Sequence, residues 1–242
     1  MVEKRSLAVG ELIINYDFTR RKKMKNIRLR IAGDGTLCVS APMRTPISEV
    51  ERVVVKNVEW IKKATAKTVA QRPTEIKREY YTDEKFLYLG AERTLVVAQG
   101  RREGVEIQDD YIFLTVAKLD DFDRKKKLLD KWYRTQTEQI LSQRFYAQVE
   151  RFRALFPDEY ALKIRSMVGR WGSCMITKKT VTLNSKLIYA DASLIDFVIL
   201  HELCHFKYKN HDKDFYTLLS RLCPRHKECR KALTNKIIYY SH

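Results

Sequence analysis

Glycine and proline are scarce in this chain of 242 residues, with 8 and 5 copies, which excludes collagen-like, low-complexity and wholly disordered classes. Cysteine is scarce too. Cys38, Cys174, Cys204, Cys223 and Cys229 are odd in number and scattered, so they read as free thiols rather than a disulfide framework. No apolar run approaches the roughly 18 residues a membrane span needs, and Met1 to Gly10 lacks the apolar stretch of an export signal. The chain therefore reads as soluble and cytoplasmic, with no membrane partner. Acidic residues are in the minority: 30 Asp and Glu against 47 Lys and Arg leave a formal charge of +17. Such an excess favours polyanions such as nucleic acid, nucleotides or acidic protein segments. No G-x-x-x-x-G-K-[ST] phosphate loop and no acidic cluster for magnesium is present.

What is there is a foldable chain, 45% hydrophobic, with two textures. Up to residue 118 it is strand-rich, with apolar alternation at Leu12 to Tyr16, Ile27 to Ile31 and Leu37 to Ser40, and a turn signal at Gly33-Asp34-Gly35. Pro46 and a Ser48-x-x-Glu51 capping box predict one helix running to about Ala64, and further short strands follow at Phe86 to Leu89, Arg93 to Ala98 and Tyr111 to Ala117. From residue 119 to 242 helices dominate. No Gly or Pro interrupts Asp120 to Phe156, where Leu128, Trp132, Ile140, Phe145, Val149 and Phe152 recur at helical intervals. Strands around Leu162 to Ser166 and Thr180 to Asn184 precede a helix from about Asp191 to Lys209. The class is α+β, with domains expected at 1–118 and 119–242 and no internal repeat.

The chemistry concentrates in Leu200-His201-Glu202-Leu203-Cys204-His205. Four helical residues advance about 400°, so His201 and His205 share a face and can chelate one zinc. Glu202 lies about 100° round the helix, near enough to serve water as a base without filling a metal position. A catalytic zinc wants a third protein ligand. His211 is the candidate, since Lys209-Asn210 can end the helix and turn the chain back, and three of the five histidines then fall within eleven residues. Asp212 and Asp214 sit where a helix from Phe215 to Leu222 needs a cap. Cys204 should face the core. Cys223, His226 and Cys229 make an incomplete trio for a second metal site, and the aromatic tail Ile237 to Tyr240 reads as packing on the domain.

These blocks, with Arg170-Trp171-Gly172-Ser173-Cys174, Leu183-Asn184 and Asn210-His211, resemble the YgjP-like metallopeptidases, zincins related to the SprT-like proteases. The resemblance implies a zincin-like helical half with a small antiparallel sheet. It implies one zinc per chain on His201, His205 and His211, Glu202 as the catalytic acid/base, and a peptide or protein substrate. Arg170, Trp171 and Asn184 are then candidate substrate-binding residues. In zincins an edge strand receives extended peptide, and Thr180 to Asn184 is its expected counterpart. Arg170, Tyr208, Tyr216 and His226 are candidate oxyanion donors. Two other activities suit the basic charge: a metal-dependent hydrolase of nucleotide phosphoanhydrides, or a protease recruited to DNA.

Overall fold

The computed structural model describes residues 2–10, 12–32, 34–70, 78–156, 159–167 and 169–236, and divides into two compact units, Met1–Thr74 and Glu75–His242. In the first unit, β1 (Glu3–Val9), β2 (Leu12–Arg21), β3 (Arg28–Ile31) and β4 (Leu37–Pro42) form a sheet of order β1-β2-β4-β3. The β1–β2 and β3–β4 pairs are antiparallel, and β2 runs parallel to β4. Tyr16, Phe18, Leu37 and Val39 alternate onto one face, where they meet Val50 and Val54 of α1 (Ile47–Lys56) and Ile61 of α2 (Val58–Ala70). The expected single helix is thus two. The Asn57 amide side chain donates to the Val53 carbonyl at 2.7 Å and its main-chain N–H to Val54, a local alternative to the helical ladder that breaks the rod. The expected Ser48 cap is also displaced, because the Pro46 carbonyl accepts from both Glu49 and Val50 and starts the helix earlier.

The second unit repeats that strand order in β5 (Lys85–Tyr88), β6 (Ala91–Gln99), β7 (Gly104–Gln108) and β8 (Tyr111–Val116), arranged β5-β6-β8-β7. Its buried face packs on α3 (Phe122–Arg151), capped by the Asp121 carboxylate accepting from the Arg124 amide. A shared core of Phe86, Leu95, Leu114, Leu129 and Tyr133 spans residue 118. The change from strands to helices at 118 therefore falls inside one compact unit, because each of those faces is the other's apolar cover.

A smaller sheet, β9 (Ala161–Arg165), β10 (Gly172–Met175) and β11 (Thr180–Asn184), has the order β10-β11-β9. It is mixed, not purely antiparallel: β10 pairs antiparallel with β11, and β9 parallel. Thr180 to Asn184 is its central strand, buried at every residue, so the expected docking edge is already paired on both sides. The free edge beside it is β10.

The helix α4 (Ala192–Cys204) lies against β10, β11 and α3, and against α5 (Lys213–Leu222) and α6 (His226–Lys236). It is shorter than expected, and Leu194, Ile195, Phe197, Val198, Ile199, Leu200 and Leu203 are all buried. Asp191 caps it by accepting from the Leu194 amide. The Arg144 guanidinium of α3 grips Asp196 with two hydrogen bonds of 2.9 and 2.7 Å, fixing the helix from one side. Among the described residues no helix is long and apolar enough to cross a membrane. The tail Ile237 to Tyr240 lies outside them.

Candidate metal centre

His201 comes from the last turn of α4, and His205 is the residue that ends it. Beyond it, amides from His205 to Tyr208 bond back to carbonyls of the final helical turn, which swings the chain round. That turn brings the Tyr208 carbonyl to 3.0 Å from His205 Nδ1. A carbonyl can only accept, so Nδ1 carries a proton and Nε2 is the ring nitrogen left outside that bond. Asp212 then starts α5 by accepting from the Phe215 amide, which sets the preceding His211 opposite His201. Nitrogen atoms of the three rings lie within 4.8 Å of one another, and Nε2 of His211 is 2.9 Å from Nε2 of His201. Phe215, fully buried, is the common floor, its ring centroid 5.0, 4.8 and 4.6 Å from those of His201, His205 and His211.

The electrostatics suit a cation. Burial, then the neighbouring His205 and His211, pushes His201 down to about 3, and burial with His205 lowers His211 as well. Converging imidazoles, two of them held toward the neutral form, are what a divalent metal of borderline softness needs. The trio is the only such cluster of His, Cys, Asp and Glu among the described residues. Cys223, His226 and Cys229 form no second one, and His226 Nδ1 faces the Cys223 carbonyl at 3.3 Å instead.

Glu202 is 6% exposed, and burial raises its carboxyl to about 7 although Arg170 opposes the shift. It fits only because residue 172 is glycine. A Cβ there would stand 2.6 Å from Glu202 Oε1 and 2.7 Å from its Cγ. Gly172, Glu202, His201 and His211 line one cleft of about 460 Å³ together with Arg170 and Trp171. Asn184 does not reach it. Its side-chain amide donates to the carbonyls of Met167 and Arg170 and its oxygen accepts from the Lys186 amide, so it ties the loop that carries Arg170 and Trp171. Tyr216 lines the cleft, Tyr208 acts through its carbonyl, and His226 is buried in a neighbouring cavity.

Arg230, donating to the Tyr216 hydroxyl at 3.3 Å, also lines the cleft. Nothing in its sequence surroundings marks it, because α6 brings it there from nineteen positions beyond His211. On the other side is the free edge of β10. The Asn184 amide donates to the Trp171 carbonyl, so Trp171 and Ser173 face β11 with their main-chain groups, while Gly172 and Cys174 turn theirs outward.

A comparison with curated proteins found no match. Two solved structures are similar to part of the chain, the crystal structures of the metallopeptidase zymogens jannalysin of Methanocaldococcus jannaschii and abylysin of Pyrococcus abyssi. The first is 24% identical with a TM-score of 0.33 and covers 41% of this chain and 95% of its own. The second is 18% identical with a TM-score of 0.34, covering 42% and 94%. Over residues 25–236 the sequence matches the model of the YgjP-like metallopeptidase domain, and the chain belongs to that family.

Proposed function

We propose that the protein is a zinc-dependent peptidase in which His201, His205 and His211 hold one zinc and Glu202 moves the proton. The observation that supports this most directly is the convergence of three imidazoles beside the buried Glu202 carboxyl at one cleft. Zinc bound there supplies Lewis acidity at neutral pH. Glu202, held near neutrality by burial, takes the proton of the attacking water and returns it to the leaving nitrogen. Gly172 leaves room for that carboxylate. The outward main-chain groups of Gly172 and Cys174 can pair with an extended peptide and deliver its carbonyl to the cleft, so β10 takes the docking role expected of Thr180 to Asn184.

Elemental analysis of protein prepared in zinc tests the site: one equivalent is expected, with most of the affinity lost on replacing any of the three histidines by Ala. Glu202→Gln should keep the zinc and lose peptide cleavage by several orders of magnitude. Retained cleavage in that variant sinks the assignment of the base. Methylating the substrate main chain where it pairs with β10 should slow cleavage with zinc content unchanged.

A further inference from the structure

A second cavity, of about 740 Å³, lies between α5 and α6 and opens on the metal centre. Phe197, His201, Tyr216 and Arg230 line both it and the cleft that holds Glu202, so whatever fills one is adjacent to whatever fills the other. The charge of its lining is one-sided. Lys213, Lys227 and Arg230 bring three cations, Thr217 and Ser220 bring two hydroxyls, and no Asp or Glu is among the described residues that line it. In the cleft, Glu202 is the single acid, facing Arg170 and Arg230. Of the acids on or next to the same two helices, Asp212 caps α5, Glu228 pairs with Arg225 at 2.8 Å, and Asp214, in the first turn of α5, is not among the lining residues.

The cavity has a buried wall as well as exposed cations. His226, 8% exposed, closes its inner side with Nδ1 against the Cys223 carbonyl. Arg230 is held by the Tyr216 hydroxyl, which sets its planar fork at the boundary between cavity and cleft. A carboxylate entering there meets cations from two helices and gains charge-assisted hydrogen bonds, whereas a Lys or Arg side chain meets like charge. Phe197 and Leu219 offer apolar surface for the methylenes of such a side chain.

We propose that this cavity is a specificity pocket for an acidic group, the Asp or Glu side chain or terminal carboxylate of a peptide residue next to the bond presented to the metal centre. The proposal rests on the peptidase reading above. Phosphate offers related chemistry, and the test separates the two.

Zinc-loaded protein is offered three peptide pools of equal length that differ only in carrying Glu, Gln or Lys at the varied positions, with cut sites mapped by mass spectrometry. The Glu pool should be cleaved with a kcat/KM about tenfold or more above the Gln pool, the acid lying at a constant distance from the cut and the advantage shrinking as salt rises. The double variant Lys213→Glu, Lys227→Glu changes two exposed side chains and should invert the order in favour of the Lys pool. Binding of the same labelled pools to zinc-loaded Glu202→Gln, read by fluorescence anisotropy, reports selectivity without turnover. Equal treatment of Glu and Gln pools in both assays, or an unchanged order in the double variant, overturns the pocket. If the parent cleaves no pool, the peptidase reading fails, and the pocket then stands or falls on the anisotropy measurement alone. Hydrolysis of a nucleoside triphosphate that the double variant loses, with no discrimination among peptides, would overturn the acidic-peptide assignment in favour of phosphate.

Discussion

Two sheets of this molecule share one plan and differ in what their first turn touches. In each, a hairpin, a parallel step and a second hairpin place the strands in the same order, and each first hairpin turns through a glycine with positive φ, Gly10 at 61° and Gly90 at 81°. A Cβ on Gly10 would meet nothing within 4 Å, whereas on Gly90 it would lie 2.5 Å from Asp191 Cβ and 2.8 Å from that residue's backbone. Leu89 beside it is also left-handed, at φ 48°, and the amides of Leu89 and Gly90 donate to the carbonyls of Ile188 and Tyr189. Two residues later Asp191 caps the helix that carries His201 and Glu202. Among the described residues the first turn thus has room around its glycine in the first sheet and is a docking point for the helix of His201 in the second. Topology alone does not assign a role; the contact at one turn does.

The largest break in this comparison should come from the two cores. Phe18→Ala and Phe86→Ala each empty a fully buried site and should cost ~3–5 kcal/mol in urea unfolding. Phe86 shares its cluster with Ile188, so only its loss should also weaken zinc binding in a competition titration. Equal weakening by Phe18→Ala would mean that the second sheet has no privileged tie to the metal.

The paired turn substitutions come next. Gly90→Ala combines left-handed strain with a backbone clash and should cost ~3 kcal/mol, while Gly10→Ala should cost only ~1 kcal/mol of strain. Similar losses at both positions would remove the distinction. Arg144→Ala, which frees the far side of the metal helix, should cost ~1 kcal/mol because the pair with Asp196 is partly open to water. A double-mutant cycle with Asp196→Asn measures that coupling directly.

The smallest effect is a change of slope with pH in metal-free protein. His201 is depressed from 6.5 to about 3, so the folded state binds fewer protons than the unfolded one in that window, and its contribution to stability is lost as pH falls through it. Glu202 is raised from 4.5 to about 7, so the folded state holds a proton the unfolded one releases, and stability is lost as pH rises through that window. His211, also lowered, adds to the rise, and Glu202 opposes both between 4.5 and 6.5. Stability should climb from about pH 3 to 4.5 and then climb less steeply, and Glu202→Gln should steepen that second stretch by at most ~1.4 kcal/mol per pH unit. An identical loss of slope in that variant would show that Glu202 is not its source.

Much of the centre was legible because its information is local. Two imidazoles four residues apart on a helix must share a face, and an Asp just ahead of the next helix is a cap candidate, of which Asp212 rather than Asp214 takes the role. The limits were equally physical. Strands β1 and β7 escaped notice because only one side of each is half-buried, so their alternation is faint. Asn184, part of the Leu183-Asn184 block, reads as a binding residue in sequence and is a loop tie in space. No periodicity marks Arg230, since its importance depends on the packing of α6 beside α5.

The sequence by itself determined the two histidines and the glutamate on one helix, the third histidine soon after it and the excess of positive charge, because residue type and short spacing suffice for these. Tertiary structure alone decided that β10 rather than β11 is the free edge, that Gly172 makes room for Glu202, and that Gly90 docks on the cap of the metal helix. The first depends on which strand pairs with which, and the other two on close approaches between positions 30 and 101 residues apart, relations that no local pattern encodes.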